Sequence, residues 1–516
     1  MWWNNAHMAT GFGIWAAELL APPASAAVGA MLQRAALLTV NLTLSAPAAA
    51  SGGLWESVCT YNASARACVW TGALHRITVP HTAACIGNPK CDPGFTGQYW
   101  DFGSVWKSAS SVSKTCVMLL RFYSDVAGRN DARIVARVKG HADWLVATAA
   151  AWNGTIPEWW VPAHPPSPSA PLQPAGWLDW NAHGGIHLQV LSEFAMLLPT
   201  AASRTPYVAA AAQVAAFLRQ EILPAQRWAD VETFYSCSNK PESAYDTFTG
   251  QPPRNTLSTG WAIDGFASLF ELTQRPEDLA SSVEVADYLT LYQASFNPTF
   301  FERPATAYVF GGMRSQNTDA EWLDARQAVD AEALMRLGNL SARQDLMERG
   351  VAMLRATMAL ITEPRTQANN FPVPNIPGRP TIPLGLEPEN VDHEGIPQLP
   401  GRSGPDWGEV GGLAAAAYVL KRFGGAYADP RRGLCIGIDG VTLSNCSLVG
   451  ATFSVNVENV MGPEKLPAMP WTDPFSIQLK VVGLEPTASF VLRTNGVAVG
   501  TFAGAALQHG VPLLVK

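Results

Sequence analysis

Apolar residues recur with a helical period along most of the first 430 positions. The stretch 131–150 is typical, with Ile134, Val138, Ala142, Leu145 and Ala149 on one stripe and polar residues between them. That spacing predicts a helix with one buried face. Similar stripes predict helices over 11–20, 112–123, 186–198, 262–272, 325–337 and 412–423. A second set, over 26–40, 131–150, 207–222, 281–294 and 342–361, reads as their partners. No clear partner follows Phe423, so the helices number eleven rather than twelve. After Pro430 the pattern changes to short alternating or β-branched runs at 434–438, 452–457, 475–482 and 489–494. Gly and Asn turns separate them, which predicts an antiparallel β module. A weaker run at 511–515 contains Pro512, which confines it to a sheet edge.

Each helix of the first set opens near a Trp in a polar turn: Trp3, Trp106, Trp180, Trp261, Trp322 and Trp407. The spacing between these openings is uneven and the insertions are long, unlike the short regular units of a stacked solenoid. Six such hairpins fit a closed ring. The predicted fold is therefore mainly α, an (α/α)6 toroid of helical hairpins with a small C-terminal antiparallel β module. The expected division is 1–430 for the toroid, with a Cys-bearing insertion at about 44–100, and 431–516 for the β domain. This counts 1–40 as the first hairpin. A competing reading takes Met31 to Ala50 as a signal peptide, and the internal helix is preferred because it completes the ring.

Composition narrows the function. The formal net charge is −7, with 15% charged residues and no basic block, which excludes phosphate-backbone binding as the main task. No run of about 18 apolar residues is free of polar interruption, so no membrane span is expected. Eight Cys include three close pairs, 59 with 68, 85 with 91, and 435 with 446. They fit short-range disulfides, and with five N-x-S/T sequons they point to a secreted or secretory-lumen protein. The alternative is buried thiols in a cytosolic chain. The charges that exist are concentrated in a few turns beside the Trp residues, of which there are 18.

Four polar segments carry candidate chemistry. The densest contains Arg314, Asn317, Asp319, Glu321, Trp322 and Asp324. Its carboxylates suit general acid and base roles, and Arg314 suits a substrate carboxylate. The competing reading makes Thr318 and Glu321 a capping box. The second is Asp179-Trp180-Asn181-Ala-His183-Gly-Gly-Ile-His187. Its histidines lie four apart and share a helical face; His183 in the turn is the site candidate, and His187 suits the core. The third, Glu387 to Glu394 with Glu389 and His393, sits inside a Pro-rich stretch long enough to suggest function. The fourth surrounds Tyr235.

Trp-headed hairpins, a late Pro-rich loop and a C-terminal β module resemble the (α/α)6-toroid carbohydrate-active enzymes, the six-hairpin glycosidases and the toroidal polysaccharide lyases. The resemblance is one of architecture. It implies a substrate cleft among the loops at one end of the inner helices. Independently, sugar rings pack their C–H faces on aromatic rings, and Trp180, Trp261, Trp322 and Trp407 are candidate platforms, with Arg314, Asn317 and Asn181 as polar contacts. The expected function is cleavage of glycosidic bonds in a neutral or uronate-containing poly- or oligosaccharide by paired carboxylates. The candidate catalytic residues are Asp319, Glu321, Asp324, Glu389, His393, His183 and Tyr235. The alternatives are β-elimination with a Tyr or His base, and a non-catalytic glycan-binding protein. No cofactor is expected; a divalent metal at His183 and His187 would need a carboxylate from another hairpin. Neither a phosphate loop nor a G-x-S-x-G elbow is present, and no Asp-rich terpene-cyclase motif appears.

Overall fold

The computed structural model describes residues 9–19, 26–46, 107–157, 159–162, 172–174, 183–228, 256–295, 310–313, 327–359, 407–450, 452–460 and 475–515. Short strand segments at 57–62, 67–72, 78–79, 100–101, 323–324 and 390–391 are also described, with the turn residues 64–65. Two concentric sets of helices form the first part of the chain. The inner set is α1 (9–19, ending in the π-helical turn Trp15–Leu19), α3 (Ala109–Asp125), α5 (Gly184–Leu197), α7 (Thr256–Thr273), α9 (Gln327–Ser341) and α11 (Trp407–Phe423). The outer set is α2 (Ala26–Ser45), α4 (Ala132–Ala151), α6 (Ala201–Phe217), α8 (Pro276–Leu289) and α10 (Gln344–Ala359). As the periodicity predicts, no outer helix is paired with α11; the chain passes directly into strand.

Consecutive inner helices pack on one another in the order α3, α5, α7, α9 and α11. Helix α1 closes the circle. Its Thr10 hydroxyl donates to the Met118 carbonyl of α3, and its Trp15 indole donates to the Leu413 carbonyl of α11. Matching contacts advance together along neighbouring helices, as in Ser113 with His187 and Gly260 with Asp330, so the inner helices run parallel. This is the (α/α)6 toroid.

Close approach of parallel helices requires small residues where backbones meet. Gly184 and Gly185, which follow His183, supply this at the start of α5. A Cβ on Gly185 would collide with the Ala262 backbone of α7, and one on Gly265 would collide with the Gly185 carbonyl. The Gly pair is thus part of the ring seam. Helix α2 is long and apolar enough to cross a membrane. Here it turns Ala36, Val40 and Leu44 into the common core, and it extends to Ser45, beyond the predicted end at 40.

The C-terminal part consists of β1 (Ala426–Asp429), β2 (Leu434–Gly437), β3 (Val441–Val449), β4 (Thr452–Asn459), β5 (Phe475–Val481), β6 (Ser489–Thr494), β7 (Val497–Ala503), a short helix α12 (Gly504–His509) and β8 (Val511–Val515). A four-stranded sheet has the order β2-β1-β5-β8, and β3-β4 and β6-β7 form separate hairpins. Strand β8 lies at the edge, where Pro512 is tolerated. Two features differ from expectation. The sheet begins at Ala426, ahead of the expected boundary at 431. It is also mixed, because β1 pairs parallel with β5; the intervening β2–β4 excursion returns the chain in the same direction. Cys435 and Cys446 are disulfide-bonded and Cys116 is a buried free thiol. The other cysteines lie outside the residues whose side chains are described.

The module is fastened to α9 and α10. Gln344 exchanges two hydrogen bonds with the Cys435 backbone, Arg355 donates to the carbonyls of Gly437, Ile438 and Val441, and Tyr427 donates to Asn339. Asn339, a sequon asparagine, is therefore engaged in the fold. If the glycine seam sets the spacing of the ring, G185A will destabilise the protein by about 1–3 kcal/mol through overpacking. Chemical denaturation measures this, and an unchanged midpoint would contradict it.

Candidate active site

The lengths of the connectors distinguish the two ends of the ring. From each inner helix to its outer partner the chain needs only residues 20–25, 126–131, 198–200, 274–275 and 342–343. The returns to the next inner helix are residues 46–108, 152–183, 226–255, 293–326 and 360–406, each of thirty or more residues. All these long connectors lead into the N-terminal ends of the inner helices. The four polar segments singled out in the sequence lie in them, or at their junction with the helix that follows. Compact domains rarely carry several loops of this length without a functional reason.

One structural observation joins two of the segments. The two-residue strands Leu323–Asp324 and Asn390–Val391 pair antiparallel, with Asp324 opposite Asn390 and Leu323 opposite Val391. Asp324 and Asn390 are thereby neighbours across a strand pair, although far apart in sequence. A second such ladder sets Lys107 opposite Trp160 and Ser108 opposite Trp159. Of the remaining predicted site residues, Arg314, Asn317, Asp319, Glu321, Trp322, Glu389, His393, Tyr235, Asn181 and Trp180 lie outside the described residues. Trp407 is the first residue of α11.

Directly below this mouth lies a layer of buried polar side chains. His183 is the residue just before α5 and meets the Trp261 ring edge-on, with centroids 5.1 Å apart. Lys114 of α3 places its ammonium 3.9 Å from the centroid of the same ring. Trp261 is thus a core residue whose face carries Lys114, a different environment from an open sugar platform. His187 is buried, and the Ser113 hydroxyl bridges its Nδ1 (2.7 Å) and His141 Nε2 (2.8 Å). Among the described residues no third His, Cys, Asp or Glu joins His183 and His187 in a metal-binding group. Asp330, 1% exposed in the first turn of α9, lies against Gly260, where a Cβ would overlap its carboxylate.

Deeper along the axis the polar layer becomes ionic. Arg121 of α3 pairs with Glu332 of α9 at 2.7 Å, spanning the ring between opposite helices, and approaches Asp264 of α7. Arg336 of α9 binds Asp264 at 3.0 Å, Glu271 at 2.5 Å and the Ser268 hydroxyl at 2.9 Å, with Glu193 of α5 at 3.7 Å. Burial opposes the charge on both guanidinium groups, but the surrounding carboxylates outweigh it and raise both pKa values. Burial likewise raises the Glu332 pKa, with Arg121 opposing it. These ion pairs link α3, α5, α7 and α9. Lys114 sits seven residues above Arg121 on α3, about 10 Å of helical rise towards the mouth.

No protein-family model matches the sequence, and no curated protein is similar to it at a significant level. Solved structures with a similar course of chain include a D-mannose isomerase, with 10% identity over 80% of this chain and 87% of that one and a TM-score of 0.45. A cellobiose 2-epimerase from Bacillus thermoamylovorans B4167 has 6% identity over 81% and 87%, with a TM-score of 0.42. A glycosyl hydrolase family 88 protein from Bacteroides vulgatus has 10% identity over 81% and 90%, with a TM-score of 0.38.

The sequence reading did not single out Lys114, Gln327, Asp330 or the axial ions. A signal was present: Asp264, Ser268 and Glu271 form a polar stripe at helical spacing along a helix that is otherwise apolar on several sides. The sign of the Glu332 shift gives a pH prediction. Its folded pKa lies above the ordinary glutamate value of 4.5, so the folded state binds the proton more tightly. Stability is greatest below 4.5 in respect of this group and falls as pH rises through the folded pKa. E332Q should flatten that part of the stability–pH curve in chemical denaturation. An unaltered slope would show that Glu332 does not titrate there.

Proposed function

We propose that the protein is a carbohydrate-active enzyme that cleaves glycosidic bonds at the N-terminal mouth of the toroid. The observation that carries this reading is the Leu323–Asp324/Asn390–Val391 ladder, which ties together residues of two acid-bearing connectors shortly before the start of α9. Carboxylates on two independent segments are what acid–base glycoside cleavage requires, one to protonate the leaving oxygen and one to activate water or attack the anomeric carbon. In this proposal Asp319, Glu321 or Asp324 is one partner and Glu389 or His393 the other. Asp330 adds a buried carboxylate at the base of the same mouth. In hydrolysis the acid gives its proton to the glycosidic oxygen as the C–O bond breaks. The base removes a proton from the water whose oxygen forms the new bond to carbon.

The composition of the connectors supports a sugar as the ligand. Trp159, Trp160, Trp177, Trp180 and Trp322 all belong to the long connectors, and aromatic faces suit the C–H faces of sugar rings. The test is incubation with a panel of neutral and uronate-containing polysaccharides, scored for reducing ends and for near-ultraviolet absorbance. New reducing ends without new absorbance are expected. New absorbance would identify an unsaturated sugar, and hence elimination. D324N and E389Q are each expected to lower kcat by about 100-fold or more, as loss of acid–base catalysis does. Undiminished turnover in both would remove these residues from the site, and binding without turnover in the wild type would leave only a glycan-binding protein.

A further inference from the structure

Gln327 is the first residue of α9 and is 2% exposed. Its Oε1 accepts a hydrogen bond from the Met313 backbone N–H at 2.8 Å. That N–H is itself held in place. Met313 forms a β-bridge with Gln293, Ala294 and Gly311–Gly312 exchange backbone hydrogen bonds of 2.7 and 3.0 Å, and Gln293 Nε2 donates to the Gly311 carbonyl. The amide therefore has one orientation, since a flip would set two donors against each other. In that orientation Nε2 is buried and has no hydrogen-bond partner. An amide nitrogen carries two donor hydrogens, and leaving it buried and unpaired costs about 1–3 kcal/mol. A fold keeps such a group where something else completes it.

Its position indicates what completes it. Gln327 begins the helix that follows the Leu323–Asp324 ladder, at the mouth end of the ring. Asp330 lies three residues on, on the same helical face, so a fixed amide donor and a buried carboxylate stand one turn apart at the site. A sugar hydroxyl supplies the oxygen acceptor that this fixed amide donor lacks. We infer that Gln327 is a specificity-determining residue whose Nε2 donates to a ring hydroxyl of the bound sugar. The inference rests on the reading of the mouth as a sugar-cleaving site. A site built around a hydrogen bond to one hydroxyl rejects the analogue lacking it far more strongly than an apolar pocket would.

The test uses the full chain and the variant Q327E, which keeps an oxygen for the Met313 N–H and replaces the donor with an acceptor. Methyl glycosides of glucose, mannose, galactose and glucuronic acid are titrated calorimetrically, each with its set of monodeoxy analogues. The wild type is expected to bind one sugar at least tenfold more tightly than one of its deoxy analogues. Q327E should lose that discrimination and bind the parent sugar about tenfold more weakly, a change worth about 1.4 kcal/mol. KM should rise accordingly while kcat changes little. If Q327E retains the discrimination, the role of Gln327 is overturned and the sugar site stands. If the wild type neither binds nor turns over any saccharide, the reading of the mouth fails and the inference falls with it. Should Q327E not fold, a crystal of the wild type soaked with the preferred sugar decides the matter. A sugar oxygen within hydrogen-bonding distance of Nε2 is expected; only an ordered water there, or nothing, would overturn the proposal.

Discussion

The pairing of Arg121 with Glu332 across the ring axis is the contact on which the rest depends. It links α3 to α9, helices on opposite sides of the circle. Through Asp264 and Arg336 it extends to α5 and α7. A ring of six parallel helices leaves an axial space that apolar side chains alone do not fill here. Seven ionisable groups occupy it instead: Arg121, Arg336 and Arg422 against Glu193, Asp264, Glu271 and Glu332. Removing one partner of a buried pair typically costs about 3–5 kcal/mol because the other charge is stranded. The network therefore fixes which residues face inward at that level of the ring.

The two ends of the ring are also unequal in the length of their connectors. Short connectors lie at one end and long ones at the other, and polar candidates are found where the chain has length to spare. The glycine seam at Gly185 and Gly265 serves the same arrangement by letting α5 and α7 approach closely. The β module, pinned by Gln344 and Arg355, packs outside the ring and leaves the mouth to the connectors.

Much of the fold was legible because amphipathic periodicity is strong in both helix sets. Helices such as Ala132–Ala151 and the edge strand Val511–Val515 appear within a residue or two of the pattern. The parallel pairing of Ala426–Asp429 with Phe475–Val481 was not legible, since register between distant strands leaves no local mark. The candidate site residues stood out unequally. Clustered charges in turns stand out against a chain with few charges, so Asp324 and the Glu389 region could be singled out. Lys114, Gln327 and Asp330 could not, because single polar residues inside apolar helices resemble ordinary helix positions until the neighbouring helix is known. Trp261 shows the converse: a Trp beside a turn-like Ser-Thr-Gly sequence lies within α7, under Lys114.

The central claim is that the long-connector end of the toroid is the sugar site. Hydrogen–deuterium exchange of the full chain, with and without a saturating oligosaccharide, tests it most directly. The account predicts new protection in the connectors 293–326 and 360–406 and in the first turns of α5 and α9. Protection confined to the β module or to the short connectors at 126–131, 274–275 and 342–343 would contradict it.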